Sequence, residues 1–301
     1  MRRIVVACVI LFSLSAVCFA IIGKQTYPFT MQDEWGNKFK FTKAPERIIS
    51  CMPSVTEMLF ALSLDKKIVG VTENCNYPPQ AKELEKVGRD QMNLEMIVSL
   101  KPDLVVMFGG AQATEIKKFR AFGLPVFVVD PKTVYSVMHS ITLLGEATNR
   151  EHAAYALTEK MERKLNWVAA QVKNAKKKRP RVFVEVWHKP LLTASGGTFV
   201  GDVIEKAGGV NIAKNAKGPY PEFSFEKLIA ADPDVIIIPR QNVPSPDSIL
   251  NDGRWKKLRA VQEGRVLFID ADLLARPGPR VGLAVEEIAK FLYEWGEKDE
   301  S

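Results

Sequence analysis

The sequence predicts an α/β protein of two Rossmann-like lobes with mostly parallel sheets, joined by one long rigid α-helix, with a ligand cleft between the lobes. Three observations carry that expectation. Short apolar runs alternate with amphipathic stretches along most of the chain, as parallel sheets covered by helices on both faces require. A pattern running from Asn93 to Met107 recurs from Ser224 to Ile238. Each copy is a capping residue, an apolar residue, a glutamate, a short helix, and a Pro-Asp feeding a buried strand, so two equivalent units belong to two similar lobes. The stretch from Arg150 to Lys178 contains neither proline nor glycine. Its Ala153, Ala156, Leu157, Met161, Leu165, Val168 and Val172 recur at helical spacing, giving a helix about 40 Å long.

In chain order, residues 1–20 read as a signal peptide. Arg2 and Arg3 supply the charged start, Ile4 to Phe19 the apolar core, and Cys18-Phe19-Ala20 a small-x-small cleavage site. The core is short against the roughly 20 residues a membrane span needs. Cleavage after Ala20, or retention as an anchor with Cys18 as the acylated residue, places the body outside the cytoplasm: in the periplasm, or on the outer face of the membrane. Residues 21–149 form the N-terminal lobe. Within it, 27–42 is a hairpin, because Tyr27, Phe29 and Met31 and then Phe39 and Phe41 alternate around Asp33-Glu34-Trp35-Gly36-Asn37. A strand over Ile48 to Ser50 leads to Ser54-Val55-Thr56-Glu57, read as a capping box that opens a helix. A strand over Ile68 to Val71, a loop through Tyr77-Pro78-Pro79, the first repeat, a helix over Thr114 to Phe122 and a strand over Val126 to Val129 follow. Residues 150–179 are the linking helix, ended by Pro180. The C-terminal lobe, 180–301, contains a strand over Val182 to Val186, a helix over Thr198 to Ala207, the second repeat, a strand over Val266 to Ile269 and a helix over Val281 to Trp295. One stiff crossing predicts little hinge motion between the lobes.

The 301 residues are 47% apolar and 26% charged, the balance of a globular chain. The net charge of +7 is dispersed apart from Lys176-Lys177-Lys178-Arg179. No basic stripe interleaves with aromatics, so nucleic acid is not an expected partner. Outside the leader the cysteines are Cys51 and Cys75, each just past a strand end. In an oxidising compartment they either meet as a disulfide, if their strands are parallel neighbours, or remain two small unpaired residues. Their spacing does not resemble a zinc site.

Open α/β sheets bind ligands at the carboxyl ends of their strands. Those ends carry Pro53, then Asn74 and Tyr77, then Phe108 with Gly109 and Gly110, then Trp187 with His188, and finally Asp272 through Arg276. Tyr220 lies in the proline-restrained loop before the second repeat helix. Aromatics beside glycines suit a flat, largely apolar ligand with a polar rim. Asp272 and Arg276 either hold that rim or pair with each other. Catalysis is not expected: Ser195-Gly196-Gly197 lacks a nucleophile elbow, and no carboxylate pair stands out. No resident cofactor or metal is expected, and His188 is the one candidate axial ligand for a metal carried by the cargo. Glu95 and Glu226 follow the caps Asn93 and Ser224. There a carboxylate gains about 0.3–1 kcal/mol from the helix dipole; alternatively, two matched acidic knobs engage a two-fold-symmetric cationic partner.

Pro45-Glu46-Arg47-Ile48-Ile49-Ser50 with Pro53-Ser54-Val55-Thr56-Glu57 resembles the opening of the helical-backbone class of metal-chelate binding proteins. These are the extracytoplasmic subunits of ATP-driven importers for cobalamin, siderophores and haem. Asn76-Tyr77-Pro78-Pro79-Gln80-Ala81, Met92-Asn93-Leu94-Glu95, Lys101-Pro102-Asp103, Thr198-Phe199-Val200-Gly201-Asp202, Ala207-Gly208-Gly209-Val210-Asn211-Ile212 and Arg276-Pro277-Gly278-Pro279-Arg280 are similar to the cobalamin-binding branch. The resemblance covers roughly residues 45 to 295. It implies a monomeric ABC-importer binding protein that captures a corrinoid between its two lobes and docks through Glu95 and Glu226 onto arginines of a permease dimer, which is driven by its ATPase. Tyr77, Phe108, Trp187 and Tyr220 would then line the cleft, with Asp272 and Arg276 near the ligand's rim. A cobalamin-binding member carries tryptophans at the positions of Arg89, Phe108, Tyr220 and Leu273; Phe and Tyr keep a stacking face there, and Arg and Leu do not. A ferric siderophore or haem is therefore the alternative cargo. An enzyme or sensor acting on a metal chelate is the alternative of a different class.

Overall fold

The computed structural model describes residues 26–89 and 91–295; the expected signal peptide lies outside them. The described chain opens with an antiparallel hairpin, β1 (Phe29–Gln32) and β2 (Lys38–Phe41). Its turn is built around Asp33, whose Oδ1 accepts from the backbone N–H groups of Trp35 (3.0 Å) and Asn37 (2.9 Å). Asp33 Oδ2 takes Arg120 at 2.6 Å and the Val128 N–H at 3.2 Å, which fastens the hairpin to the edge of the first sheet.

The N-terminal lobe continues through β3 (Ile48–Ser50), α1 (Pro53–Ala61), β4 (Ile68–Val71), α2 (Leu94–Ser99), β5 (Leu104–Phe108), α3 (Ala113–Ala121) and β6 (Val126–Val129). Helices α4 (Val134–Thr148) and α5 (Glu151–Asn174) lead to the second lobe. That lobe runs through β7 (Arg181–Val184), α6 (Phe199–Lys206), β8 (Val210–Asn211), α7 (Phe225–Ala231), β9 (Val235–Pro239), α8 (Asp247–Leu250), α9 (Arg259–Gln262), β10 (Val266–Ile269), α10 (Ala271–Ala275) and α11 (Val281–Tyr293). Each lobe holds a four-stranded parallel sheet, ordered β4-β3-β5-β6 and β8-β7-β9-β10. Numbered within its own lobe, each sheet reads 2-1-3-4. The duplicated sequence is thus a duplicated topology, with the repeat supplying the third strand and the helix before it in both lobes.

The Pro-Asp of the repeat has the same local use twice. Asp103 donates its N–H to Arg47 O at 2.9 Å and accepts from the Arg47 N–H at 2.8 Å. Asp234 does the same with Arg181, at 2.8 Å in both directions. Each aspartate therefore pins the start of its lobe's third strand to the start of the first. The turn before it passes through a left-handed residue in both copies, Lys101 (φ 48°) and Asp232 (φ 39°).

Helix α5 spans 24 residues, about 36 Å at 1.5 Å per residue. It stops at Asn174, short of the expected 179, and Lys176 takes a left-handed φ of 51°. The basic run is therefore an extended connector, in which Arg179 caps the carbonyls of Gly208 and Gly209 and pairs with Glu205 at 2.6 Å. The lobes share more than this helix. One core cluster runs without interruption from Val55, Leu59 and Val129 through Leu144, Met161 and Leu165 to Val184, Val203, Ile237 and Val285. Smaller clusters cover the outer face of each sheet. The expected capping box is not formed. Met52 is the N-cap and Pro53 opens α1, because proline fits a first-turn position that needs no N–H donor; Glu57 is therefore interior to the helix. Among the described residues no helix is long and apolar enough to cross a membrane.

Candidate functional site

With strand order 2-1-3-4, the crevice between strands 1 and 3 lies where the connections diverge to opposite faces, which is where open α/β sheets bind ligands. In the N-terminal lobe that crevice separates the ends of β3 and β5. Gln112 spans it: its Oε1 accepts from the Phe108 N–H at 2.8 Å, and its Nε2 donates to Cys51 O at 2.6 Å. Phe108, half-buried, and Pro53, at the start of α1, are thereby held on either side of the crevice. Gly109 is required beside them, since a Cβ there would come within 2.3 Å of the Asp130 carboxylate.

The disulfide alternative does not hold: Cys51 and Cys75 are both free and buried. Side-chain alternation along β3 gives the reason. Cys51 follows Ile49 onto the outer face, with Val105 and Met107. Cys75 sits on the inner face, accepting from Thr56 at 3.1 Å in a chain that continues to Ser50 at 2.7 Å. Burial pushes the Cys51 thiol far up, with Cys75 and Glu115 adding to the effect.

In the C-terminal lobe the segments that carry Trp187 and Tyr220 are tied into one backbone ladder through residues 192 and 193. Residues 187 and 192 form an isolated bridge, 192 bridges 222 in turn, and Thr193 donates to Pro221 O at 3.1 Å. Both rings stand out from the surface, 57% and 47% exposed. His188 sits on the outer face, stacked on Trp255 at 6.3 Å, with Nδ1 3.1 Å from Glu185. Burial pushes the Glu185 carboxyl up, against the lowering pull of His188. His188 lines a small cavity of about 390 Å³ with Phe223 and Phe225. Among the described residues no group of three His, Cys, Asp or Glu could hold a metal ion.

The third group of candidates joins the lobes. Asp272 and Arg276 form the mutual salt bridge, at 2.7 Å. Arg276 also reaches across to Asn76 Oδ1 (2.8 Å), Asn74 O (3.3 Å) and Glu57 (3.2 Å), while Asn76 Nδ2 donates to Asp272 at 3.2 Å. Glu57 is the residue that sequence reasoning missed. Its carboxylate is 2% exposed and takes Arg280 in a two-pronged grip, at 2.8 and 2.7 Å, besides Arg276. That hydrogen bonding pushes the Arg280 guanidinium up from its ordinary value. The guanidinium also lies 3.9 Å from the centre of the Tyr77 ring, a cation–π contact that orients the ring. Two carboxylates and two guanidiniums thus form a neutral cluster across the lobe boundary. The signal for it was Arg276-Pro-Gly-Pro-Arg280, two cations spaced by residues that restrict the backbone. Beside the cluster a cavity of about 740 Å³ opens against α5, walled by Phe60, Leu84, Leu157, Met161 and Leu283. Of the expected cleft residues, Tyr77 is the one that lines it.

Glu95 and Glu226 each occupy the first turn of their helix. Asn93 Oδ1 accepts from the Met96 N–H at 3.0 Å, and Ser224 Oγ from the Lys227 N–H at 3.3 Å. A helix that runs back before a parallel strand starts at the carboxyl edge of the sheet, so both glutamates lie at the carboxyl edges of their sheets. Each is exposed, and among the described residues neither has an ion-pair partner. The N–H of its own residue and the Ser224 hydroxyl hold the Glu226 carboxyl below its ordinary value.

Comparison with known proteins agrees with this architecture. A family model described as "Periplasmic binding protein" matches residues 48–273. An uncharacterised ABC transporter substrate-binding lipoprotein of Bacillus subtilis is 34% identical over 275 residues, covering 89% of this chain and 87% of its own. A vitamin B12-binding protein of Vibrio cholerae is 33% identical over 253 residues, covering 82% and 89%. The crystal structure of a periplasmic vitamin B12 binding protein from that organism superposes with a TM-score of 0.74 at 31% identity, covering 84% of this chain and 99% of that one. A periplasmic heme-binding protein in complex with two hemes superposes with a TM-score of 0.75 at 29% identity, over 84% and 99%. With its duplicated 2-1-3-4 lobes and a family match over most of its length, the chain belongs to the periplasmic binding protein family.

Proposed function

We propose that this chain is the extracytoplasmic substrate-binding protein of an ABC importer, and that its cargo is a corrinoid held between the lobes spanning residues 21–149 and 180–301. The observation that carries this reading is the set of aromatics at the strand ends and in the loop before the second repeat helix. Tyr77, Trp187 and Tyr220 are 43%, 57% and 47% exposed, and Phe108 stands half-buried at the N-terminal crevice. Other rings of this chain are as exposed, such as Phe122 and Tyr155; what singles these out is their place in the loops at the carboxyl edges of the two sheets, where open α/β sheets take ligands. A flat macrocycle with a polar edge fits rings of this kind, with Asn74, Asn76, Asp272 and Arg276 supplying hydrogen bonds at the rim. The vitamin B12-binding relatives support the corrinoid, and the heme-binding structure makes haem the second reading. Binding needs no nucleophile, base or resident metal, so the reading is of a carrier and not an enzyme.

Delivery is assigned to Glu95 and Glu226, whose carboxylates have no ion-pair partner among the described residues and would meet cationic residues of the two permease subunits, with the ATPase driving release. Purified protein incubated with cobalamin, cobinamide, haem and ferric siderophores, then desalted, tests the cargo by its visible spectrum. Retention of a corrinoid band is expected. Retention of haem or a ferric siderophore instead assigns the second cargo, and retention of none refutes the chelate reading. For docking, Glu95→Arg with Glu226→Arg is expected to abolish transport and leave ligand affinity unchanged. Normal transport by that variant would reduce both residues to helix caps.

A further inference from the structure

The two ends of helix α1 meet different surroundings. Pro53 opens it at the N-terminal crevice, and Glu57 in its middle carries the arginine cluster. Its last residues, Phe60 and Ala61, wall the cavity of about 740 Å³. From Pro53 to Phe60 the helix rises about 10 Å, so the cavity lies at the far end of α1 from the crevice. Of the cluster, Glu57 and Arg280 line the cavity, whereas Arg276, Asp272 and Asn76 do not.

Both lobes and the helix that joins them meet there. The N-terminal lobe gives the end of α1 and the loop through Tyr77 and Leu84, α5 gives Leu157 to Lys164, and the C-terminal lobe gives the first turn of α11. The volume falls within the roughly 300–1,000 Å³ of small-molecule sites. The walls are apolar: Phe60, Leu84, Leu157, Met161 and Leu283. The charges at its edge are unequal, with Lys66, Lys160, Lys164 and Arg280 against Glu57 and Asp65. Arg280 is taken by Glu57, and Lys164 by Glu286. Lys66 and Lys160 have no ion-pair partner among the described residues, so with Asp65 beside them one positive charge is left unbalanced. The 13-residue helix α11 opens at the same place with no side-chain cap and no acidic residue in its first turn, the end of a helix that stabilises an anion. Gly282 in that turn lies against the stem of Lys164, since a Cβ there would come 3.1 Å from the Lys164 Cγ. Lys160 is one turn earlier on the same face of α5.

We propose that this cavity is a second binding site, separate from the cleft, for a small amphipathic organic anion. The apolar body would lie against the five walls, and the single anionic head between Lys160 and the first turn of α11. Such a molecule touches both lobes and α5 at once, so it would brace the lobes in the arrangement that the Glu57 cluster holds. The site does not depend on which cargo the cleft takes.

Decanoate is the probe, titrated by calorimetry into the mature full chain, with decanol and decyltrimethylammonium as neutral and cationic counterparts of the same length. One saturable decanoate per chain is expected, with a melting temperature that rises with its concentration, and at least tenfold weaker binding of both counterparts. Leu283→Glu sets a like charge on the apolar wall and is expected to weaken decanoate tenfold or more. Lys160→Gln removes the unpaired cation and is expected to weaken it about two- to fivefold. Leu283 is 49% exposed and Lys160 is exposed, so both variants should melt with the parent; Leu283→Ala replaces the first should it misfold. Trp187→Ala, in the cleft, should bind decanoate as the parent does. Equal binding of decanol and decanoate would overturn the anionic head. Decanoate binding that neither cavity variant weakens, or that Trp187→Ala abolishes, would put the molecule elsewhere and overturn the site, as would no saturable binding at all.

Discussion

Glu57→Gln is the most informative single substitution for the way the lobes are held. The side chain is 2% exposed and accepts three charge-assisted hydrogen bonds at 2.7, 2.8 and 3.2 Å from two guanidiniums of the opposite lobe. Glutamine keeps the shape but removes the charge, leaving Arg280 without a carboxylate partner and Arg276 with Asp272 alone. Removing one partner of a fully buried pair costs about 3–5 kcal/mol. Arg276 and Arg280 are 13% and 21% exposed, so water relieves part of that cost, and about 2–3 kcal/mol is the expected loss. For a cooperative unit of this size, at about 1.7 °C per kcal/mol, that corresponds to a fall in Tm of about 3–5 °C. The continuous core across the boundary is why the unit should melt as one. Scanning calorimetry at pH 7 checks it, with Glu46→Gln as the control because its pair with Lys67 sits at the surface; that variant should melt within about 1 °C of the parent. The loss should also persist in 1 M salt, since buried pairs are little screened. A Glu57→Gln protein that melts with the control would refute the reasoning, and the cluster would then be an incidental contact.

Trp187→Ala and Tyr220→Ala should each weaken ligand binding about tenfold or more, as the loss of an aromatic anchor does, while leaving Tm within about 1 °C because both rings are exposed; titration calorimetry and a thermal melt separate the two effects. Asp234→Asn carries a pH signature. Burial pushes the Asp234 carboxyl up, but hydrogen bonds from the Arg181 backbone and the Arg259 guanidinium outweigh it and hold the group below its ordinary value. Its stabilisation is therefore present above the unfolded value of about 3.9 and is lost as pH falls through the folded one. Urea melts should show the variant about 1 kcal/mol weaker at pH 7, with the gap closing as pH falls below the unfolded value of about 3.9; a gap independent of pH would contradict the assignment. A thiol reagent should leave Cys51 and Cys75 untouched in the folded protein and titrate both in guanidinium without reductant, whereas unreactive cysteines after unfolding would mean that they are bonded.

Much of the fold was legible because its signals are local and repeated. The Pro-Asp of each copy marks a strand start by a hydrogen-bond pattern confined to one lobe, and its recurrence pointed to two similar lobes; the shared strand order came only with the structure. The rings at positions 77, 108 and 187 were legible as strand-end residues and Tyr220 as a loop residue held between prolines, although nothing local tells an exposed ring from a packed one. Glu57 was hidden for the opposite reason. Ser54-Val55-Thr56-Glu57 has the spelling of a capping box, while its actual partners lie at positions 276 and 280, on the other lobe. The two cysteines were separable only once β3 had a register, since alternation sends Cys51 to the outer face while the loop after β4 packs Cys75 on the inner one. The end of the linking helix was blurred because a basic run reads as a favourable last turn until the left-handed Lys176 is seen.

The central claim is that the interlobe cleft takes a corrinoid. Titration calorimetry of cobalamin into the mature protein at several temperatures tests it most directly. The account predicts one site per chain, submicromolar or tighter (on the order of −8 kcal/mol or more favourable), with a negative heat-capacity change from burying the aromatic rings. Absence of saturable heat with cobalamin and cobinamide alike, from a protein whose melt shows it folded, would contradict it.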